Sequence, residues 1–297
     1  MILVVGSINM DFVIEVDKLP QKGESVHGKN IRYIPGGKGA NQAVAVKRLG
    51  ADVALIGKVG EDVFGKDLRK FLENEKLDLS GLQTAPTSSG IAAINVDKSG
   101  DNTITIISGA NGEVTPEFIE ENINLVKESK VVISQFEIPD DAVEKLFALA
   151  KKDNKITILN PSPAKQISPK LFKNTDYLVV NETELALLSK MKVRSQKEIE
   201  IAAKLMHSKG PKAVVVTLGA DGALTISGKE TITTDGIKVK AVDTTAAGDC
   251  FVRAFAVQIE KGRNLKEALD FANQAAAISV QKMGASSSLP LLNEITS

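Results

Sequence analysis

KVVISQFEIPDDAVEKLFALAKKDNKITILNP, residues 130–161, holds a complete strand, helix, strand unit. KVVISQF is a near-continuous apolar run, the pattern of a strand buried on both faces. In PDDAVEKLFALAKKDN, residues 139–154, Val143, Phe147 and Ala150 fall on one face of a helix. KITILNP, residues 155–161, repeats the buried-strand pattern. That order implies a right-handed crossover between parallel neighbours.

The same runs recur outward from this unit: ILVVG (2–6), VALIGKVG (53–60), DYLVVNE (176–182) and KAVVVTLG (212–219). A second helical pattern, SQKEIEIAAKLMHSKG (195–210), ends in Gly210. Strands alternating with helices predict an α/β fold, a three-layer sandwich with a mainly parallel central sheet. Two regions break the rhythm. Residues 12–34 and 88–108 carry short alternating strands around Pro20, Gly23 and Gly100-Asp101, with no helix between them. We expect these to form a small antiparallel β lid over 12–34 and 87–108, hinged over a large domain made of 1–11, 35–86 and 109–297. Apolar residues Val13, Ile14, Val16, Ala92, Ile94 and Ile106 give the lid a face too apolar for a solvated flap.

Composition narrows the function classes. At 297 residues, with 43% hydrophobic and 25% charged residues, the chain can bury a large core. Its 37 basic and 37 acidic residues cancel without long basic runs, which argues against nucleic acid as a partner. The N-terminal apolar run is too short for a signal peptide, and no stretch approaches a membrane span. A single cysteine, Cys250, forbids an intrachain disulfide, and a cytoplasmic location is expected. His27 and His207 lack partners at metal-ligand spacing, so a transition-metal enzyme is not expected.

In an open α/β sheet, ligands collect at the carboxyl ends of strands. GSINMD (6–11) puts Asn9 and Asp11 there, which suits a polyol and equally suits an Asx turn. PGGKGANQAVAVKRLGA (35–51) leads Gly37, Lys38 and Gly39 into a helix capped by Gly50, and fits neither the P-loop nor the dinucleotide motif. Glu137 follows one strand, and Asn181 and Glu184 in NETE follow another, where they equally form a capping box. TLGADG (217–222) adds a glycine-rich turn. In VDTTAAGDCFVRAF (242–255), Ala246, Ala247 and Gly248 offer unhindered N–H groups at a helix start, a cradle for a phosphoryl group. Asp249 beside them is either a helix-start residue or a base that takes a proton from an attacking hydroxyl.

Together, in this order, GSINMD, GGKGAN, NETE, TLGADG and DTTAAGD resemble the ribokinase family of sugar and nucleoside kinases, over essentially the whole chain from Ile2 to about Pro290. The resemblance implies transfer of the ATP γ-phosphoryl group to the 5-hydroxyl of ribose, with Mg²⁺. By the same resemblance Asn9, Asp11, Gly37, Lys38, Gly39, Asn41 and Glu137 would hold the sugar, and Asp249 would be the base. Ala246, Ala247 and Gly248 would form the anion hole, with Asn181 and Glu184 acting on the phosphates and the Mg²⁺ shell. Thr217, Gly219, Gly222, Gly248 and Asn273 would line the nucleotide. K⁺ would sit at Asp243, Thr245, Ser279, Lys282, Gly284 and Ser288, largely on backbone oxygens, and two lids would pair in a homodimer. Kinases for deoxyribose, fructose or a nucleoside, or a non-catalytic ribose-binding regulator, are the alternatives on the same scaffold. Cys250 and Arg253 depart from the family pattern, which has threonine and then a small glycine at these positions. A buried filler or a reactive thiol are both open for Cys250; a solvent-directed or a site-directed guanidinium are both open for Arg253.

Overall fold

A computed structural model describes residues 1–242, 247–282 and 290–295. In chain order the strands are β1 (Ile2–Val5), β2 (Asn9–Val16), β3 (Gly28–Gly36), β4 (Val53–Gly60), β5 (Leu82–Ala85), β6 (Gly90–Val96), β7 (Asn102–Ile107), β8 (Val131–Ser134), β9 (Ile156–Leu159), β10 (Tyr177–Asn181), β11 (Ala213–Thr217), β12 (Gly222–Ser227) and β13 (Glu230–Asp235). Nine of them form one sheet in the order β13-β12-β11-β10-β9-β8-β1-β4-β5. Pairing is parallel from β11 to β5, and the β12–β13 hairpin adds an antiparallel edge.

Strand alternation divides the core into two layers. Ile2 and Val4 of β1 pack with residues of helices Lys38–Arg48, Ala247–Glu260 and Leu265–Ser279. Leu3 and Val5 face the other side, against helices Asp140–Lys152 and Gln196–His207. Val143, Phe147 and Ala150 are all buried there, as the helical spacing predicts. Among the described residues no helix is long and apolar enough to cross a membrane.

The remaining strands form a second sheet in the order β3-β2-β6-β7. Each hairpin, β2–β3 and β6–β7, is antiparallel, and the hairpins meet through a parallel β2–β6 pair because the chain leaves the large layer twice in the same direction. Register also corrects the apolar face read from the sequence. Val13, Ala92, Ile94 and Ile106 share a face through the pairs Val13–Ile94, Ala92–Ile106 and Ile94–Ile104, whereas Ile14 pairs with Ile31 on the opposite face. Val16 and Ala92 are buried, so neither belongs to an exposed patch. A bulge between Glu15 and Val16 shifts the register at the strand end. The second face seats the lid on the large layer: Phe12 lies 4.9 Å from Tyr33 and 5.2 Å from Phe64, edge-on in both cases. Phe64 belongs to helix Val63–Asn74, so this aromatic cluster is the lid's footing.

Helix Lys38–Arg48 starts unusually close to the sheet. A Cβ on Gly39 would lie 2.5 Å from the carbonyl carbon of Gly6, and Gly37, at φ +89°, caps the helix. Gly39→Ala must therefore push the helix off β1, and we expect a loss of about 1–3 kcal/mol in urea unfolding; unchanged stability would contradict the close approach.

Candidate active site

The β1–β2 connection, the start of helix Lys38–Arg48 and the loop after β8 converge on Glu137. Ser7 Oγ donates to Glu137 Oε2 at 2.5 Å, and the Lys38 backbone N–H donates to the same oxygen at 3.2 Å. A carboxylate beside a helix N-terminus is favoured by the dipole, which fixes Glu137 here. Asn9 is fixed by Asn111, whose Nδ2 donates to Asn9 Oδ1 at 2.7 Å while its Oδ1 accepts the Ile8 N–H at 2.8 Å. Asn41 is buried in the first turn of the helix, with its N–H donating to the Gly37 carbonyl at 2.8 Å.

Asp11 points toward the same cluster. Burial, then the nearby Glu137 charge, push its carboxyl up to about 7, with Lys38 pulling the other way. Burial, with a second carboxylate nearby, lets Asp11 bind a proton near neutrality. This is an arrangement for accepting hydroxyl hydrogens, with Asn9, Asp11, Lys38 and Glu137 brought together as the sequence suggested.

On the far side of Lys38 lies a cavity of about 600 Å³. Lys38, Asn181, Glu184, Thr217, Gly219, Ala247, Gly248, Asp249 and Asn273 all line it. Gly222 does not; its α-carbon packs so tightly on the Thr234 carbonyl that a Cβ would lie 1.9 Å away, a need of the β12–β13 hairpin. The lower wall is apolar, with Val179, Val252, Ala276 and Val280, and suits a flat ring. Asn273 Nδ2 is committed to the Asp235 carbonyl at 2.6 Å. Asn181 and Glu184 form the reciprocal capping box of helix Glu182–Ser189: the Glu184 N–H donates to Asn181 Oδ1 at 2.8 Å, and the Asn181 N–H donates to Glu184 Oε2 at 2.9 Å. The capping role therefore coexists with a carboxylate presented to the cavity. Burial raises the Glu184 carboxyl above its ordinary range, against hydrogen bonds from Asn181 and Ser162.

Helix Ala247–Glu260 begins at Ala247, so Ala247, Gly248 and Asp249 occupy its first turn. Burial alone would raise the Asp249 carboxyl, yet Lys38, Arg253 and a hydrogen bond from Gln42 outweigh it and hold the group below the ordinary carboxylate range. Lys38 is in turn raised, first by Asp249, against its own burial. Asp249 is thus ionised and faces an open cavity at the positive end of a helix. Gln42 is itself held: Gln135 Nε2 donates to its Oε1 at 2.5 Å, and its Nε2 donates to Asn160 Oδ1 at 3.3 Å.

Ser7, Gln42, Asn111 and Asn160, which the motifs do not single out, hold the site's side chains and one another by hydrogen bonds. Each sits inside or beside a strand-end motif, but their partners lie far along the chain. Cys250 is buried and its thiol is pushed up to about 11, which settles it as an inert filler and not a reactive thiol. Arg253 turns inward, 1% exposed. Ala246, Asp243, Thr245, Gly284 and Ser288 lie outside the described residues. Of the other cation-site candidates, Ser279 is buried beside Cys250, and the Lys282 ammonium pairs with Glu294 at 2.6 Å. Among the described residues no group of three or more His, Cys, Asp or Glu could hold a metal.

A family model described as pfkB family carbohydrate kinase matches residues 1–292. The chain is 37% identical over 297 residues to a ribokinase of Staphylococcus aureus, covering 99% of this chain and 98% of the relative. Among solved structures it is similar to ribokinase from Thermotoga maritima, with TM-score 0.91, 38% identity, and coverage of 100% and 98% of the two chains. It is also similar to Arabidopsis thaliana ribokinase complexed with ribose and ATP, with TM-score 0.93, 33% identity, and coverage of 99% and 97%.

The raised Asp11 carboxyl makes a prediction with a definite sign. A carboxyl that binds its proton more tightly when folded stabilises the fold below its unfolded value near 4, and that contribution is lost as pH rises through about 7. Asp11→Asn is expected to be more stable than the parent at pH 8, by about 1–2 kcal/mol, with little difference at pH 4. The same variant should weaken sugar binding by about tenfold or more, because an acceptor is lost. Thermal unfolding at the two pH values and sugar titration calorimetry check both; a variant less stable at pH 8 would contradict the carboxylate pair.

Proposed function

The chain belongs to the pfkB family of carbohydrate kinases, and from that premise we propose that it transfers the γ-phosphoryl group of ATP to the 5-hydroxyl of ribose. The observation that carries this reading is the placement of Asp249. It is a carboxylate held ionised in the first turn of a helix, lining the nucleotide-sized cavity and coupled to Lys38, whose backbone N–H in turn holds Glu137 of the hydroxyl-accepting cluster. A carboxylate beside a phosphate site is electrostatically costly unless it accepts a proton.

In this mechanism Asn9, Asp11 and Glu137 orient the sugar so that its 5-hydroxyl meets Asp249. Asp249 accepts the hydroxyl proton as the oxygen attacks the γ-phosphorus in line, the bond from that phosphorus to the β–γ bridging oxygen breaks, and ADP leaves. The N–H groups of Ala247 and Gly248, in the first turn of the helix, receive the charge on the transferring phosphoryl oxygens, and the motif assigns Ala246 to the same role. Lys38 lines the same cavity, and its charge supports both the phosphate and the ionised base. Thr217, Gly219 and Asn273 hold the nucleotide against the apolar wall.

Glu184 fits Mg²⁺: a hard oxygen donor in the cavity, raised by burial and lacking a cation of its own within ion-pair distance among the described residues. It would hold the ion with Asn181, largely through water, and Mg²⁺ would neutralise phosphate charge. K⁺ is proposed at Asp243, Thr245, Ser279, Lys282, Gly284 and Ser288 on the strength of the motif. The Lys282 side chain, already paired with Glu294, would leave only its backbone oxygen for that role.

The lid would act as a hinged unit over the sugar. Its β7 edge exposes Ile104 and Ile106, at 55% and 45%, next to Ile94 and Val13 on one face. A second lid covering that face would give a homodimer, which light scattering at micromolar concentration should show; a monomer would contradict it. For the activity, ADP release with ATP should be strongest for ribose in a panel with deoxyribose, fructose and nucleosides, assayed with and without K⁺. Asp249→Asn should lower turnover by about 10²–10⁴; near-parental turnover would refute the base.

A further inference from the structure

Arg253 stands where the family pattern has a small glycine, and it is the largest fully buried side chain. It lies one turn after Asp249 on helix Ala247–Glu260, and its Nη2 is 3.4 Å from Asp249 Oδ2. Neither Nε nor Nη1 has a hydrogen-bond partner among the described residues. A guanidinium buried with two unpaired nitrogens is strongly unfavourable, and an aliphatic side chain would fill the same space without that cost. Packing alone therefore gives no reason for an arginine.

The anion it faces does. Arg253 does not line the cavity; of the groups that do, Asp249 is the one within ion-pair distance, and Lys38 feels its charge as repulsion. An acid followed by a base four residues later is the favourable order for a helical pair. Asp249 is also hydrogen-bonded by Gln42, itself fixed between Gln135 and Asn160. The other charged or titratable groups around the pair are Lys38 and Arg48 on the neighbouring helix, Glu184 across the cavity, and Cys250, a neutral thiol. Arg48 donates to Glu75 at 3.0 Å.

We propose that Arg253 is a positioning residue for phosphoryl transfer: from behind Asp249 its guanidinium holds the carboxylate in one orientation, aimed at the sugar hydroxyl. This rests on Asp249 being the base. Gln42 and Arg253 then form a clamp, and the carboxylate cannot swing toward the Lys38 ammonium when substrate arrives.

Steady-state kinetics with ATP and ribose, together with melting curves, test this on Arg253→Met, Arg253→Lys, Asp249→Asn and the Asp249→Asn/Arg253→Met double variant. Arg253→Met should lower kcat by about tenfold or more with ribose KM changed less than about twofold. Its kcat–pH profile should have the acid limb moved to higher pH, while its melting temperature stays equal or rises. Arg253→Lys should recover part of kcat. In the Asp249→Asn background, Arg253→Met should have no further effect. An Arg253→Met enzyme with kcat within about twofold of the parent would overturn the proposal, as would the same loss in both backgrounds. A lowered melting temperature with kcat falling in both backgrounds would mark a packing role and also overturn it. Near-parental turnover in Asp249→Asn would instead remove the base assignment on which the proposal rests.

Discussion

Lys38 and Asp249 begin two helices that pack on the same face of the sheet, and each keeps the other charged. A lysine at a helix N-terminus works against the dipole, and an aspartate largely buried at the cavity wall resists ionisation. Each is nonetheless shifted toward its charged form, with the other as a principal cause. Lys38 also couples to Glu137 and Glu184, so one ammonium joins the sugar-side carboxylates to the nucleotide cavity. That link joins the two halves of the proposed site.

The link depends on how closely helix Lys38–Arg48 approaches β1. Gly6 and Gly39 meet without a side chain between them, and the helix start then supplies its N–H to Glu137. From there the buried amides Gln135, Gln42 and Asn160 run beneath the cavity to Asp249. Such a network is favourable only when its members are satisfied. Its one unpaired acceptor, Gln135 Oε1, lies against Gly6, where no Cβ could fit.

Much of this was legible in the sequence because it is local. Apolar runs of a few residues separated by helical patterns require a parallel sheet, and the strands appear where those runs lie. The β12–β13 hairpin was not legible: β13 reads ETITTD and is largely exposed, so it carries no buried-strand pattern. The lid was legible as alternating strands, but the division of its apolar residues between two faces follows from register, which short segments do not encode. In the site, Asn9, Asp11, Lys38 and Asp249 stood out as polar residues beside glycines at strand ends. Ser7, Gln42 and Asn111 did not, since their partners lie 130, 93 and 102 residues away. For Arg253 the four-residue spacing from Asp249 was present as a signal, but whether that helix face turns inward is a property of packing.

Lys38 and Arg253, cations on two helices, keep Asp249 ionised although it is largely buried. Difference infrared spectroscopy between the parent enzyme and Asp249→Asn, followed from pH 8 to pH 4, reads that carboxyl directly. Asp249 should show carboxylate bands across the range and no protonated carbonyl band. A protonated carboxyl at pH 6 would contradict it.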